Sequence, residues 1–359
     1  MKQLEIMFKN LFLNFLLLIN PNKKSNANPV FNQNNKILFI RLNRIGDALV
    51  TTPLIHLVKE KLGCKVYILA DIKNHFIFQN NPSIDEVLVF KKGLKGFFAI
   101  NKFIKGKNID TIIDLHDDVS TSVSFLIALS KVRYKFGLKR SNHSLFTNTI
   151  ERSDAKINHV IVRLLKLAEL FNIPVEMDSV SVRYYPSEEI NNKALEQLQR
   201  MNPENKFLVG INISAGSKAR FWGINKFKLL LNELSVYDVK PILFCTAEDL
   251  PLALQIGNEN IIYPFTKGFD IFAAAVMKLD FLITPDTSIV QIASINKIPL
   301  FGIYVKYKTD DMLWTPFNTD FECVITEEPT LVNVTFEEVK NKFIPFLEKR
   351  LNAKRNSIL

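Results

Sequence analysis

From Lys36 onward, short apolar runs alternate with segments of helical period. KILFIRL (36–42) is a continuous apolar run of strand length, the pattern of a strand buried on both faces of a sheet. It leads into NRIGDALVTTPLIHLVKEKLG, where Asp47 opens an amphipathic pattern that closes at Gly63. KVYILAD (65–71), EVLVF (86–90) and IDTIIDL (109–115) are again strand-like, separated by helix-length segments, and Ala155–Phe171 predicts one long amphipathic helix. Ile173–Pro186 reads as a crossing into a second region with the same grammar. There KFLVGINI (206–213) and PILFCTA (241–247) are strands, the first followed by a loop and a helix from about Ile224 to Val236, the second by a helix near Glu248. Asn260–Pro264 and the strand–turn–helix–strand of 281–304 complete the second sheet, and Thr335–Leu351 predicts a long C-terminal helix. Alternating strands and helices predict an α/β fold with parallel sheets. The expected architecture is two Rossmann-like domains facing across a cleft, with ligands beyond the C-terminal ends of the strands. The expected boundaries are an apolar segment and polar linker at 1–35, domains at 36–185 and 186–334, and the C-terminal helix at 335–359.

Ahead of the first strand, Leu11–Ile19 is apolar but too short to span a bilayer, and no clear small-residue cleavage site follows it. It predicts a helix that lies on a membrane or on the protein itself. The Asn-rich stretch Asn22–Asn35 predicts a flexible linker. A hydrophobic content of 47% with 23% charged residues describes a globular chain. Its net charge of +10 points to an anionic partner: nucleic acid, membrane surface or phosphorylated substrate. The basic residues are scattered without an RNA-reading or helix-turn-helix signature, which sets nucleic acid aside. Three widely spaced cysteines form neither a disulfide framework nor a zinc pattern and fit a reducing, cytoplasmic setting. All five histidines fall at or before His159, and there is no HExxH, GxGxxG, Walker loop or Asp-x-Asp pair. Neither a metal nor a dinucleotide cofactor is therefore expected.

Three loops at predicted strand ends carry polar residues suited to chemistry. In the first, 41–47, Gly46 allows close backbone approach, and Asp47 reads either as a helix cap or as a reactive carboxylate. In the second, SAGSKARFW (214–222), Lys218 and Arg220 are either a solvated basic loop or a pair of cations for a diphosphate. The third is the Pro-Asp-Thr-Ser turn at 285–288. Free N–H groups, a positive helix end and the hydroxyls of Thr287 and Ser288 suit a phosphate there; the alternative is a plain Asp286 cap. Glu248, just past a strand, is either an acceptor for ribose hydroxyls or a first-turn acid.

Together these loops resemble glycosyltransferase family 9, the ADP-heptose:lipopolysaccharide heptosyltransferases. IRLNRIGDALVTTPLI (40–55) is similar to the family's Arg-x-x-x-x-Gly-Asp turn followed by Thr-x-Pro, here Arg41 to Asp47 and then Thr51 to Pro53. SAGSKARFWGINKF (214–227) resembles its Lys-x-Trp-Pro loop, and ITPDTSIVQIASINKIPLFGIY (283–304) its Asp-Thr-Gly-x-x-His-x-Ala motif. The resemblance runs in order from about Lys36 to the C-terminal helix. It implies a GT-B fold and inverting, metal-independent transfer of heptose from ADP-heptose, held by the C-terminal domain. The implied acceptor is a phosphorylated lipid A–core glycan on the N-terminal domain, at the inner face of the cytoplasmic membrane. The resemblance makes Asp47 the base for the acceptor hydroxyl. It places Ser214, Lys218, Arg220, Asp286, Thr287, Ser288 and Gln291 around the donor, with Glu248 on the nucleoside side.

Four positions depart from the family pattern. Arg220 stands for the lysine, Gly223 for the proline, Ser288 for the glycine and Gln291 for the histidine. Glutamine hydrogen-bonds but carries neither a proton nor a charge, which leaves open another nucleotide-sugar donor, or a catalytically weak binding protein. On the acceptor side, Arg133, Lys135, Lys139 and Arg140 of KVRYKFGLKR are candidates for lipid phosphates. His116, Asp117 and Asp118 follow a strand and read as acceptor contacts or as a solvated loop.

Overall fold

A computed structural model describes residues 29–264 and 268–358, together with Phe15 and Leu18. The apolar segment 1–20, with its expected membrane-lying helix, falls outside the described residues except for those two, both helical and exposed. The chain divides between Tyr185 and Pro186 into two compact units.

The first unit is built on six parallel strands: β1 (Lys36–Arg41), β2 (Lys65–Asp71), β3 (Glu86–Phe90), β4 (Thr111–Asp114), β5 (Tyr134–Leu138) and β6 (Asn148–Ile150), in the order β3-β2-β1-β4-β5-β6. The continuous apolar runs lie in the middle of this sheet, where helices cover both faces; Ile37 through Ile40 are fully buried. The second unit has β7 (Phe207–Asn212), β8 (Val239–Phe244), β9 (Phe281–Pro285), β10 (Leu300–Val305) and β11 (Phe321–Thr326), parallel and in the order β11-β10-β9-β7-β8. The C-terminal helix Phe336–Ile358 buries Phe343 and Leu347 in this unit's core, with Phe343 edge-on to Phe281 and Phe301.

Several expectations are corrected. Asn260–Pro264 is not a strand but a tight turn (Glu259–Ile261) with a single parallel bridge from Ile262 to Leu243. Counting that bridge as a vestigial third strand, the second sheet repeats the strand order of the first. The helix expected from Asp47 to Gly63 is two, Ile45–Leu49 and Thr52–Leu62. The hydroxyls of Thr51 and Thr52 turn back onto the carbonyls of Ala48 (2.6 Å) and Leu49 (2.7 Å), and Pro53 follows, so the ladder breaks there. Gly63 ends the second helix with φ 62°, as its position predicts.

The helix expected over Ala155–Phe171 is α-helical only at Val160–Leu165, tightening to 3₁₀ over Lys166–Phe171. Asp154 draws the preceding residues into a turn by accepting from the Lys156 N–H and the Asn158 amide, both at 2.9 Å. Of the expected linker, 29–35 is tied down. Phe31 packs on Phe171 with ring centroids 4.7 Å apart, and Asn32 and Asn35 close a turn with their side chains. Within KVRYKFGLKR, expected as a basic docking segment, Tyr134–Leu138 is the fully buried strand β5.

Candidate active site

In an open parallel sheet, ligands bind at the C-terminal ends of the strands, where the strand order reverses. The first sheet reverses between β1 and β4, the second between β7 and β9. The three loops singled out from the sequence leave β1, β7 and β9, so all of them lie at a reversal point.

In the first unit, Arg41 ends β1 and is buried. Its Nη2 donates to Asp47 Oδ1 at 2.6 Å and its Nε to the Asp47 carbonyl at 3.0 Å, while Nη1 donates to the Leu115 carbonyl at the end of β4. Burial pushes the Arg41 guanidinium down, and Asp47, Asp114 and Asp117 oppose that shift. Asp47 lies in the short helix Ile45–Leu49 with its side chain 19% exposed. One carboxylate oxygen is thus oriented by a buried arginine, and Oδ2 has no partner among the described residues. Gly46 lies in the same helical turn, its carbonyl accepting from the Val50 N–H.

Several of the neighbouring acceptor candidates are engaged within the unit. Asp114, ending β4, accepts from the His116 N–H (3.0 Å), His116 Nδ1 (2.7 Å) and Arg140 Nη2 (2.6 Å). Burial pushes its carboxyl up, but His116 and Arg140 outweigh that and hold it low. The second His116 nitrogen lies 2.6 Å from the Leu42 carbonyl, so both ring nitrogens are occupied within the unit. Arg140 also donates to the carbonyls of His116 and Asp118, which directs it inward. Asp117 is held by Arg163 (2.7 Å) and Arg152 (3.1 Å). Lys135 is buried, which lowers its ammonium to about 8. Arg133, Lys139 and Asp118 are exposed; Arg133 stacks over Tyr134 and Lys139 pairs with Glu151.

In the second unit, Asn212 at the end of β7 bridges the reversal point. Its amide donates to Thr284 Oγ1 of β9 (2.9 Å) and to the Ser214 carbonyl (3.0 Å). The loop beyond it turns at Gly216 (φ 63°) and is pinned by Trp222, buried edge-on to Phe227 and donating Nε1–H to the Val334 carbonyl at 3.0 Å. Between these anchors, Arg220 reaches the 285–288 turn: Nη1 donates to the Asp286 carbonyl (2.9 Å) and Nη2 pairs with Asp286 Oδ2 (3.1 Å). Burial raises the Asp286 carboxyl, with Arg220 pulling the other way. Asp286 therefore secures Arg220 instead of capping the next helix, Ile289–Ile295, whose cap position is Ser288. Among the described residues, the N–H groups of Thr287 and Ser288 have no acceptor, while Thr287 Oγ1 accepts from the Ile289 N–H at 3.2 Å.

Lys218 is exposed and, among the described residues, unpaired, two residues from Arg220. Ser214 is occupied instead, its hydroxyl donating to Asp249 (2.5 Å) and accepting from the Thr246 N–H (2.9 Å). Glu248 is exposed, with no partner among the described residues. Asp249, which sequence reasoning passed over, ties the β7 and β8 loops together; the Thr-x-x-Asp spacing from Thr246 is the signal that marks it. Gln291 is buried, its amide donating to the carbonyls of Trp314 and Thr315, both at 3.2 Å, with Oε1 unpartnered. Gly223 has φ 118°, a conformation closed to proline. Among the described residues, no group of three or more histidines, cysteines or acids is placed to hold a metal. No described helix is long and apolar enough to cross a membrane.

The sequence model of glycosyltransferase family 9 (heptosyltransferase) matches residues 97–343. No curated protein matches the chain. Among solved structures, a family 9 glycosyl transferase from Veillonella parvula is similar at 18% identity and TM-score 0.76, over 89% of this chain and 100% of that one. ADP-heptose lps heptosyltransferase II of E. coli is similar at 15% identity and TM-score 0.71, over 89% and 99%. E. coli heptosyltransferase WaaC with ADP follows at 14% identity and TM-score 0.69, over 88% and 99%.

Proposed function

The chain belongs to glycosyltransferase family 9, and from that premise we propose that it moves heptose from ADP-heptose to a phosphorylated lipid A–core glycan, with inversion and without a metal. The observation that carries this reading is Arg220, held by Asp286 across the reversal point of the second sheet beside the unengaged N–H groups of Thr287 and Ser288. In this reading the second unit holds the donor. Arg220, Lys218 and those N–H groups meet the negative charge that grows on the diphosphate as the bond from the anomeric carbon to its phosphate oxygen breaks. Glu248 faces the ribose, while Ser214 and Gln291 shape the pocket through Asp249 and the 314–315 carbonyls.

The first unit holds the acceptor. Asp47 Oδ2 takes the acceptor hydroxyl proton as that oxygen bonds the anomeric carbon from the face opposite the leaving group, and Arg41 keeps the carboxylate aimed. His116 and Arg140 act as the buried support of this loop. Of the remaining acceptor candidates, Asp117 is held between two arginines, and Arg133 is the exposed cation. The acceptor is lipid-anchored, so the protein works in peripheral contact with the inner face of the cytoplasmic membrane.

ADP is the nucleotide to try first, since WaaC has been solved with it. Thermal-shift titration with ADP, UDP, GDP and ADP-heptose, without added metal, tests the proposal through the stabilisation that binding imposes. Stabilisation by ADP, and more by ADP-heptose, is expected. A preference for UDP or GDP replaces the donor, a reading that Gln291 in the histidine position favours. No shift with any of them points to a protein that has lost donor binding.

A further inference from the structure

All six strands of the first sheet run parallel, so the loops after β2 and β3 open at the same end as the Asp47 loop. With strands about 4.8 Å apart, the β3 loop lies roughly 10 Å from the β1 loop along that edge. These two loops and the helix that follows β3, Leu94–Lys107, present three large apolar side chains to solvent: Ile72 is 64% exposed, Leu94 77% and Phe98 72%. The helix does not need Leu94 or Phe98 for its core. Ile100 and Ile104 are buried, Phe97 packs on Phe90 at 5.4 Å and Phe103 on Tyr67 at 5.6 Å.

Lys73, Lys91, Lys92 and Lys95, all exposed, flank the apolar residues along the chain, and none of them makes an ion pair among the described residues. Between Glu86 and Asp110 the chain carries six lysines and no acid, and among the described residues only Lys107 is ion-paired, to Glu86 at 2.7 Å. Lysines at 91, 92 and 95 crowd a helix N-terminus that has no acid in its first turn. Cations at that end oppose the helix dipole and weaken the helix, so folding gives no reason for them. Gly96 fixes the arrangement: a Cβ there would sit 1.6 Å from the Lys91 carbonyl, so only glycine lets the 91–93 turn fold against the helix.

We propose that this rim is a membrane-docking surface, on which Ile72, Leu94 and Phe98 enter the headgroup boundary of an anionic bilayer while Lys73, Lys91, Lys92 and Lys95 meet its phosphates. Charge complementarity selects the anionic lipid, and the aliphatic Ile72 and Leu94, which have no face for stacking on bases, select lipid over nucleic acid. The inference rests on the membrane-anchored acceptor of the proposed function and names the face that meets it.

Flotation of the full-length protein with phosphatidylethanolamine–phosphatidylglycerol vesicles, against pure phosphatidylcholine vesicles, tests it. Wild type binds the anionic vesicles, less at high salt, and not the zwitterionic ones. Lys91→Gln/Lys92→Gln/Lys95→Gln weakens binding about 100-fold, at roughly five-fold per lysine, and Phe98→Ser weakens it about ten-fold. A triple variant elsewhere, Lys61→Gln/Lys228→Gln/Lys349→Gln, changes it less than about three-fold, which separates this surface from net charge. Unchanged vesicle binding by the first triple variant overturns the proposal. Loss of single-stranded RNA binding in that variant, with Phe98→Ser neutral toward vesicles, replaces lipid by nucleic acid. ADP-induced thermal shifts, read on the same samples, report on the proposed function separately. A protein that binds ADP but no vesicle loses only this surface; one that binds vesicles through it but no nucleotide loses only the function.

Discussion

Arg220→Ala and Arg220→Lys, compared for ADP binding by calorimetry, test the centre of the proposed donor site. Asp286 takes one N–H from each terminal nitrogen of the guanidinium, at 2.9 and 3.1 Å, so a second donor on each and the Nε–H remain for a phosphate. A charge-assisted hydrogen bond to a phosphate contributes about 1.5–3 kcal/mol, so Arg220→Ala raises the ADP Kd by about 10–100-fold. Arg220→Lys keeps the charge but cannot grip Asp286 and a phosphate in one plane, and loses about ten-fold. The Arg220 side chain is 39% exposed, so losing its ion pair costs under about 1 kcal/mol of stability and the variants stay folded. Asp286→Asn supplies the opposite sign: it removes a carboxylate that repels the diphosphate and tightens ADP by a few-fold. An unchanged ADP Kd in Arg220→Ala, at moderate salt and with an unaltered Tm, refutes the assignment.

Asp47→Asn keeps the bond from Arg41 but has no base, so turnover of ADP-heptose falls by about a thousand-fold while the ADP Kd is unchanged; wild-type turnover, followed by mass spectrometry of the product, sinks the role. Gln291→Leu leaves the carbonyls of Trp314 and Thr315 without their donor, costs about 1–3 kcal/mol, and speeds hydrogen exchange across 306–320; unaltered exchange there rules out the clamp. Burial pushes the Asp85 carboxyl up, but bonds from Lys59, Lys65 and the Val66 N–H overcome it and hold the group at about 2. Because that value lies below the ordinary 3.8, the stabilisation is present at neutral pH and is lost as pH falls from about 4 to 2. Asp85→Asn therefore lowers stability by about 1–2 kcal/mol at pH 7, after solvent screening, and the gap to wild type closes in acid, as urea midpoints across that range would register.

Burial made the architecture legible. The central strands β1, β2, β4, β7 and β9 are buried on both faces, and their apolar runs announce them in the sequence. Edge strands are less visible: β6 is three residues long and only partly buried, and β11 exposes Phe321 and Ile325. β5 was hidden for another reason. Its buried Lys135 and flanking Arg133, Lys139 and Arg140 mimic a solvated basic loop, and only the sheet reveals that Arg140 answers Asp114. Asp47 and Arg220 stand out in the sequence as candidates because a motif carries them, whereas the partners that hold them, Arg41 and Asp286, become visible as partners only when the loop closes. The pairing of Ser214 with Asp249 joins residues 35 apart, so no local pattern encodes it.

The departures from the family pattern are connected through geometry. With φ 118° at Gly223, the loop enters its helix by a path that proline forbids, so the glycine belongs to the backbone conformation of this loop. At the facing turn, Gln291 spends both amide hydrogens on carbonyls of the 306–320 segment and turns its oxygen inward. A neutral amide supplies no proton and no charge at that position. In the proposed reaction the charge on the departing diphosphate then falls to Arg220 and Lys218, and a planar, permanently protonated guanidinium at 220 suits that larger share better than a lysine. Restoring Gln291→His with Arg220 in place should therefore raise turnover less than it does with Arg220→Lys, a non-additivity that a double-mutant cycle on initial rates measures. Strictly additive effects would show that the two positions act on separate steps.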